Sequence, residues 1–310
     1  MLDFVPSQQT TVRWDVATDV ERFTTHGFDA IAAWRPKLSD LGLAATAEAF
    51  AAAGVRVSSV HWAGGFTGGD GRSFAESVTD ALEAVEAAER LGAPVVVVHS
   101  GCRGGHTRAH AVRLVTQALD ELAPAARRAG VVLALKPLHA DAATGLSFLT
   151  RLEEALAIVE HAADPCVRLA LDLWHFADAP GIEAVWPRLA ETVAIVQAAD
   201  RRGPPTPGGD RLPPGRGDLP LTRLVDALAQ AGYRGDIEVD PVGETVEAQG
   251  YDATLRDIRR LATGWAERLP AAWRRRLETP HAGLPHPHRP AGTATGSRRS
   301  HASSQVVSPR

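Results

Sequence analysis

Cysteine occurs twice in the 310 residues and methionine once. Cys102 and Cys166 are too few for a disulfide framework and lack metal-ligand spacing, so two reduced thiols in a cytoplasmic protein are expected. No apolar run is long enough to cross a bilayer, and residues 1–10 carry no charged-then-apolar signal segment, so no membrane partner is expected. A basic excess is missing as well. The formal charge is −4 on a mixed background, which leaves no electrostatic footprint for nucleic acid. Phosphate-cradling motifs are absent too: no G-x-G-x-x-G follows the first strand and no Walker sequence occurs, so no nucleotide cofactor is expected.

What the chain does have is a core and a repeated pattern. Hydrophobic residues make up 45%, enough to bury a large interior. A helical stretch repeatedly ends in a residue plus glycine, and a short apolar run follows at once. This happens at His26-Gly27 before residues 28–34, at Ala53-Gly54 before 55–60 and at Leu91-Gly92 before 94–99. It recurs at Ala129-Gly130 before 131–136 and at Ala231-Gly232 before 236–240. Glycine suits the left-handed residue that closes a helix, so each marks a helix-to-strand junction. Two further runs, 167–172 and 192–198, lack the glycine, and a weak first strand around 2–5 brings the number to eight.

These runs (VVVVH, VVLAL, VRLAL, VAIV) are apolar throughout, which means burial on both faces. Amphipathic helices, such as those at 73–91 and 106–129, alternate with them. Alternating buried parallel strands and helices leave an open doubly wound sheet or a closed barrel. Eight units without a phosphate loop favour the barrel. A single α/β (β/α)₈ TIM barrel over residues 1–277 is therefore expected, since one barrel of about 250 residues is a single domain. The last helix is expected at about 251–277. Residues 278–310, rich in Pro, Gly, Ser, His and Arg, are expected to be a disordered tail.

In such a barrel the chemistry sits at the C-terminal ends of the strands. Six successive strands end in hydrogen-bonding or ionisable side chains. They are His61 (beside Trp62), His99, Lys136, Asp172 (with His175 three residues on), Gln197 (with Asp200 following), and Asp240. One such ending is unremarkable; six in a row point to a site at the mouth. Glycine-rich loops at 64–71 and 101–106 follow two of the strands, the second ending at His106. The long loop at 200–217 has the look of a lid and carries Arg211, which can reach a hydroxyl-rich or anionic substrate. Trp62, Phe66, Trp174 and Phe176 near strand ends either pack the rim or widen the mouth for an apolar substrate.

With those residues in view, the chain resembles the sugar phosphate isomerase/epimerase family, the xylose isomerase-like barrels that include AP endonuclease 2-type members. The resemblance covers about residues 1–265. It rests on GFDAIAAWRPKL, FTGGDGRS, VVVVHSGCRGGHTRAH, VVLALKPLH, RLALDLWH and AGYRGDIEVDPVGE in that order. It implies a divalent metal (Mn, Mg or Co type) held by four residues at the ends of strands five to eight, usually Glu, Asp, His or a substitute, and Glu.

The matching positions here are Lys136, Asp172, Gln197 and Asp240. Asp172, Gln197 and Asp240 can still offer oxygen, and His175 completes the family's D-x-x-H. Lys136 departs from the expected Glu. An ammonium about 4 Å from a divalent ion is repelled by roughly 8 kcal/mol at an effective dielectric near 20. The expectation is therefore no metal or a weakly held one, with Lys136 lying between Asp172 and Asp240 in its place.

The resemblance implies an isomerase or epimerase, with related lyases in the same family. Such an enzyme moves a proton next to a carbonyl on a sugar, polyol or similar small molecule. Lys136, Asp172, His175 and Asp240 are the candidate catalytic residues. His61, Trp62, His99, His106, Gln197 and Arg211 are the candidate substrate contacts. Two alternatives stand beside it: a metal-independent isomerase, lyase or cyclase that tailors a specialised metabolite, and a non-catalytic ligand-binding pseudoenzyme. Family members often pair, so a homodimer is an open alternative.

Overall fold

Short, largely apolar and buried segments form eight parallel strands in the computed structural model, which describes residues 2–143 and 145–268. They are β1 (Phe4–Pro6), β2 (Ala30–Trp34), β3 (Arg56–Gly64), β4 (Val95–His99), β5 (Val132–Lys136), β6 (Val167–Asp172), β7 (Val193–Ala198) and β8 (Ile237–Val239). The hydrogen-bonded order is β1-β8-β7-β6-β5-β4-β3-β2. The remaining gap is narrow. Ser7 bridges Ala32 in parallel register, and Gln8 N donates to Ala32 O at 3.0 Å. The result is a nearly closed (β/α)₈ barrel. The expected end of the barrel at 277 and the expected tail at 278–310 lie outside the described residues.

The junction glycines do what their position asks. Gly92 and Gly130 close their helices in the left-handed region, at φ 65° and 67°. The opposite ends are capped by side chains. Ser73 and Glu76 form a reciprocal capping box, and Asp15 and Thr107 accept from Thr18 N and His110 N, satisfying donors that the first turn leaves open.

Strand β3 runs past the expected end at Val60 as far as Gly64. At that point φ is +132°, and a Cβ would stand 1.9 Å from the carbonyl oxygen of His99. Only glycine lets β3 and β4 approach so closely.

Two apolar layers result. The larger lies between strands and helices, where Phe66 and Phe176 are both buried; Phe66 is therefore core rather than mouth. A small cluster fills the barrel interior: Val95, Val97, Ala134, Ala170 and Ile195. These occupy alternate positions of β4 to β7, as the period of two requires. One step further along the same faces stand His99, Lys136, Asp172 and Gln197.

Of the 33 lysine and arginine residues only Lys37 and Lys136 are lysine, and both are buried. Lys37 pairs with buried Asp19 at 2.6 Å. Asp19 also accepts from Gln8 Nε2 at 2.9 Å and Thr11 Oγ1 at 2.6 Å. This network pins the loop after β1, which carries Gln9 and Val12 to the mouth.

Candidate active site

The strand ends converge on a cavity of about 310 Å³ at the mouth. Its polar lining comes from His61, His99, Lys136, His175, Arg211 and Asp240, and its walls include Trp34, Trp62 and Trp174. Asp172 lies at its base, wholly buried.

The centre is an ion cluster. Lys136 Nζ stands 2.7 Å from Asp172 Oδ2. Arg211 comes down from the long loop and donates to Asp172 through Nη1 at 3.1 Å and Nη2 at 3.3 Å. Its Nη2 also donates to Asp240 Oδ1 at 2.5 Å. The expected arrangement had Lys136 between the two carboxylates; Arg211 is the group that bridges them.

The loop holds Arg211 in place. Its backbone pairs with Val242, and the next residue, Leu212, pairs with Asp200. Its guanidinium lies over the ring of Trp174, 5.3 Å from the centroid. Asp200 binds the loop from inside, accepting from Gly215 N and Leu219 N, both at 3.0 Å.

Burial and charge set the protonation states. Burial alone would raise the Asp172 carboxyl, but the Arg211 guanidinium and Lys136 ammonium hold it well below the usual carboxylate range. Asp240 moves the other way. Burial pushes it up, Arg211 pulls it back, and neighbouring Asp172 adds repulsion, leaving it raised to about 6. Two carboxylates in one site are thus driven apart. Burial pushes His175 down to about 3, and its Nδ1 accepts from His139 N at 3.2 Å. The ring is therefore neutral with its proton on Nε2. His99 is likewise pushed down, by burial and then by Lys136. Among the described residues its buried Nδ1 has no hydrogen-bond partner.

Beneath the mouth lies a polar layer that the sequence reading missed. Glu238, wholly buried, points inward from β8 two residues before Asp240. It accepts from Ser58 Oγ at 2.7 Å, from Ser59 Oγ, from His61 Nε2 at 2.7 Å and from Gln197 Nε2 at 3.2 Å. Burial raises its carboxyl, yet His61 and these donors leave it below its ordinary value. The available signal was the alternation Ile237-Glu238-Val239-Asp240, which puts both acids on one face.

The other candidates fall as follows. His61, Trp62 and His99 line the cavity, and Trp62 packs edge-on against His99 at 5.2 Å. Gln197 sits below, bonded to Glu238. His106 stands apart: its Nε2 binds Thr67 O at 3.1 Å and its ring packs on His110. The two glycine-rich loops contact each other through Thr67 and Cys102, and neither contributes to the cavity lining.

The donors do not suit a divalent metal. Asp172 Oδ1 accepts from Trp174 N at 2.9 Å and from Arg211, while Oδ2 accepts from Lys136 and Arg211. Every acceptor site of that carboxylate is taken. Gln197 turns its amide nitrogen to Glu238. Among the described residues, no three His, Cys, Asp or Glu side chains form a metal-holding group.

Inward ionisable residues near the C-terminal ends of five of the eight parallel strands mark a TIM-barrel enzyme-type site. Comparison carries this to a family: the xylose isomerase-like TIM barrel model matches residues 20–263. The chain belongs to that family.

A Xenopus laevis relative, whose hydroxypyruvate isomerase name is itself provisional, is 28% identical over 131 residues. That match covers 40% of this chain and 44% of the relative, so the chain spans less than half the length of the curated relative it matches.

Among solved structures, a Sinorhizobium meliloti protein superposes with TM-score 0.77 at 24% identity, covering 84% of this chain and 97% of the other. The IolI protein, solved with a bound zinc atom, gives 0.75 at 20% identity, covering 87% and 100%. The 3-keto-D-glucoside 4-epimerase of E. coli gives 0.69 at 17%, covering 84% and 99%. These likenesses speak to the fold. Among the described residues no helix is long and apolar enough to cross a membrane.

Proposed function

We propose that this chain is an isomerase or epimerase that moves a proton next to a carbonyl of a small polyhydroxylated substrate. The observation that carries the reading is Asp240. A carboxyl raised to about 6 on the floor of the cavity is tuned for proton transfer near neutral pH. It stands beside two fixed cations. The hydroxypyruvate isomerase and 3-keto-glucoside epimerase names among the relatives agree with this class.

In this mechanism the substrate lies against the indoles of Trp62 and Trp174, with its carbonyl oxygen toward Lys136. One N–H of the ammonium faces Asp172; the others are available to the substrate oxygen. Asp240 removes the proton from the carbon beside the carbonyl. Negative charge moves to the oxygen, where Lys136 stabilises it. For isomerisation the proton returns to the former carbonyl carbon while the hydroxyl proton of the adjacent carbon passes to the oxygen at Lys136; for epimerisation water supplies a proton to the opposite face and Asp240 releases its own to solvent. Asp172 stays ionised throughout and orients both cations. Neutral His175 and His99 position hydroxyl groups.

The walls favour a second reading. Trp34, Trp62, Trp174, Val12, Leu138 and Leu146 all line the cavity, and these fit a substrate with an apolar part, as in a specialised metabolite.

The test is incubation in D₂O with hydroxypyruvate, ketohexoses and a 3-keto-glucoside, followed by NMR of the C–H beside each carbonyl. Exchange with at least one compound, lost in Asp240→Asn, is the expected result. If no compound exchanges, or if Asp240→Asn exchanges as fast as the natural chain, the reading fails.

A further inference from the structure

We infer that Lys136 and Arg211 together occupy the place of a divalent cation in this centre, so that the chain takes no divalent metal there. The use of the two cations rests on the proton-transfer reading above; the exclusion of metal stands on the geometry alone.

Three observations carry it. The first is saturation. Asp172, the acid best placed to ligate, already accepts four hydrogen bonds, three from the two cations and one from Trp174 N. Asp240 Oδ1 is engaged by the same guanidinium. His175 has its Nδ1 engaged by His139 N, and its Nε2 stands 3.8 Å from Asp172 Oδ2. A metal would have to displace two full positive charges at contact distance from Asp172 and Asp240.

The second is rigidity. Arg211 cannot swing out as an exposed side chain would. Its backbone is paired to Val242, its guanidinium lies over Trp174, and its Nε donates to Asp240 O at 3.3 Å. The clamp is a built part of the loop.

The third is composition. Of 33 basic residues, 31 are arginine, yet position 136 keeps lysine. The only other lysine, Lys37, is also buried against an aspartate. A buried position beside a carboxylate and beneath a substrate suits a compact ammonium with three rotatable donors better than a wide planar fork.

The test is metal binding by the whole chain, stripped with chelator and then titrated with Co²⁺, Mn²⁺ or Zn²⁺, with visible spectra for Co²⁺. The same titration is run on Asp172→Asn, on Lys136→Glu, and on the double variant Lys136→Glu with Arg211→Gln. The natural chain is expected to hold no metal that Asp172→Asn abolishes. Metal that survives in Asp172→Asn belongs elsewhere and leaves the inference standing. The double variant is expected to gain affinity by about 100-fold or more, because two positive charges leave and one carboxylate arrives. Circular dichroism checks that the variants fold, and the result on the natural chain stands whether or not they do. One equivalent in the natural chain that Asp172→Asn abolishes overturns the inference. So does a folded double variant that binds no better than the natural chain.

Discussion

Arg211 meets Asp172 with both terminal nitrogens, at 3.1 and 3.3 Å, although the two lie 39 positions apart, one ending β6 and the other in the loop after β7. Neither group is exposed, so each is the other's solvation. Removing the guanidinium in Arg211→Ala leaves two buried carboxylates facing one ammonium. The expected cost is about 3–5 kcal/mol of stability, visible as a fall of roughly 6–20 °C in Tm. Arg211→Lys keeps the charge but loses the double contact, and should recover only part of that loss. A Tm for Arg211→Ala equal to that of the natural chain would count against the clamp.

Asp240 and Asp172 predict opposite pH dependences. Asp240 is raised, so between about 4 and about 6 the folded chain holds a proton that the unfolded chain has lost. Its contribution to stability therefore falls as pH rises through that window. Asp172 is depressed, so its contribution is present above the ordinary carboxylate range and is lost as pH falls below it. Urea midpoints of the natural chain and Asp240→Asn should converge near pH 4. They should separate between about pH 4 and about 6 and stay apart by a constant amount above that, with the Asn variant the more stable. Proton-transfer rate should rise with pH to a plateau above about 6, since the base must be ionised. A flat rate profile from about pH 4 to 8 contradicts Asp240 as the base.

Glu238 tests the layer beneath the mouth. It satisfies two serines, one histidine and one glutamine in a site closed to water. Each donor orphaned by Glu238→Ala costs about 1–3 kcal/mol, so this variant should lose most of the fold's stability. Glu238→Gln, which keeps the volume, should lose less. Equal melting curves for all three proteins would mean the layer is not held by this carboxylate.

Gly64 is a purely steric prediction. A Cβ there meets the His99 carbonyl oxygen at 1.9 Å, in a backbone region that L residues rarely adopt. Gly64→Ala should cost at least about 3 kcal/mol. Gly92→Ala has an open surrounding and should cost about 1 kcal/mol. Comparable losses at the two sites would remove the close approach of β3 and β4 from the account.

Much of this was legible in the residues. Buried parallel strands announce themselves as valine runs, and β6 lies where its run predicts, at Val167–Asp172. The inward residues Lys136, Asp172 and Asp240 were legible because barrels put chemistry at strand ends.

What escaped the sequence depended on three-dimensional neighbours. Glu238 sits inside a strand, where a single acid between apolar residues looks like a solvent-facing position. Asp19 and Lys37 are 18 residues apart, with no local pattern to pair them. β3 was read short because Gly64-Gly65 looks like a loop, whereas Gly64 continues the strand by letting β4 in. His106 shares its glycine-rich segment with mouth residues, yet its ring turns to Thr67. Arg211 was legible as a candidate, but its bridging of two carboxylates was not, since that depends on how an 18-residue loop folds over the mouth.

The central claim is that fixed side-chain cations, with Asp240 as base, perform proton transfer in this barrel. Its most direct test is hydrogen exchange into a hydroxycarbonyl probe in D₂O with chelator present throughout, comparing the natural chain, Lys136→Met and Asp240→Asn. The account predicts exchange by the natural chain undiminished by chelator, a fall of about 100-fold or more in Lys136→Met, and loss in Asp240→Asn. Exchange that vanishes with chelator and returns with added divalent metal, or that survives both substitutions, contradicts it.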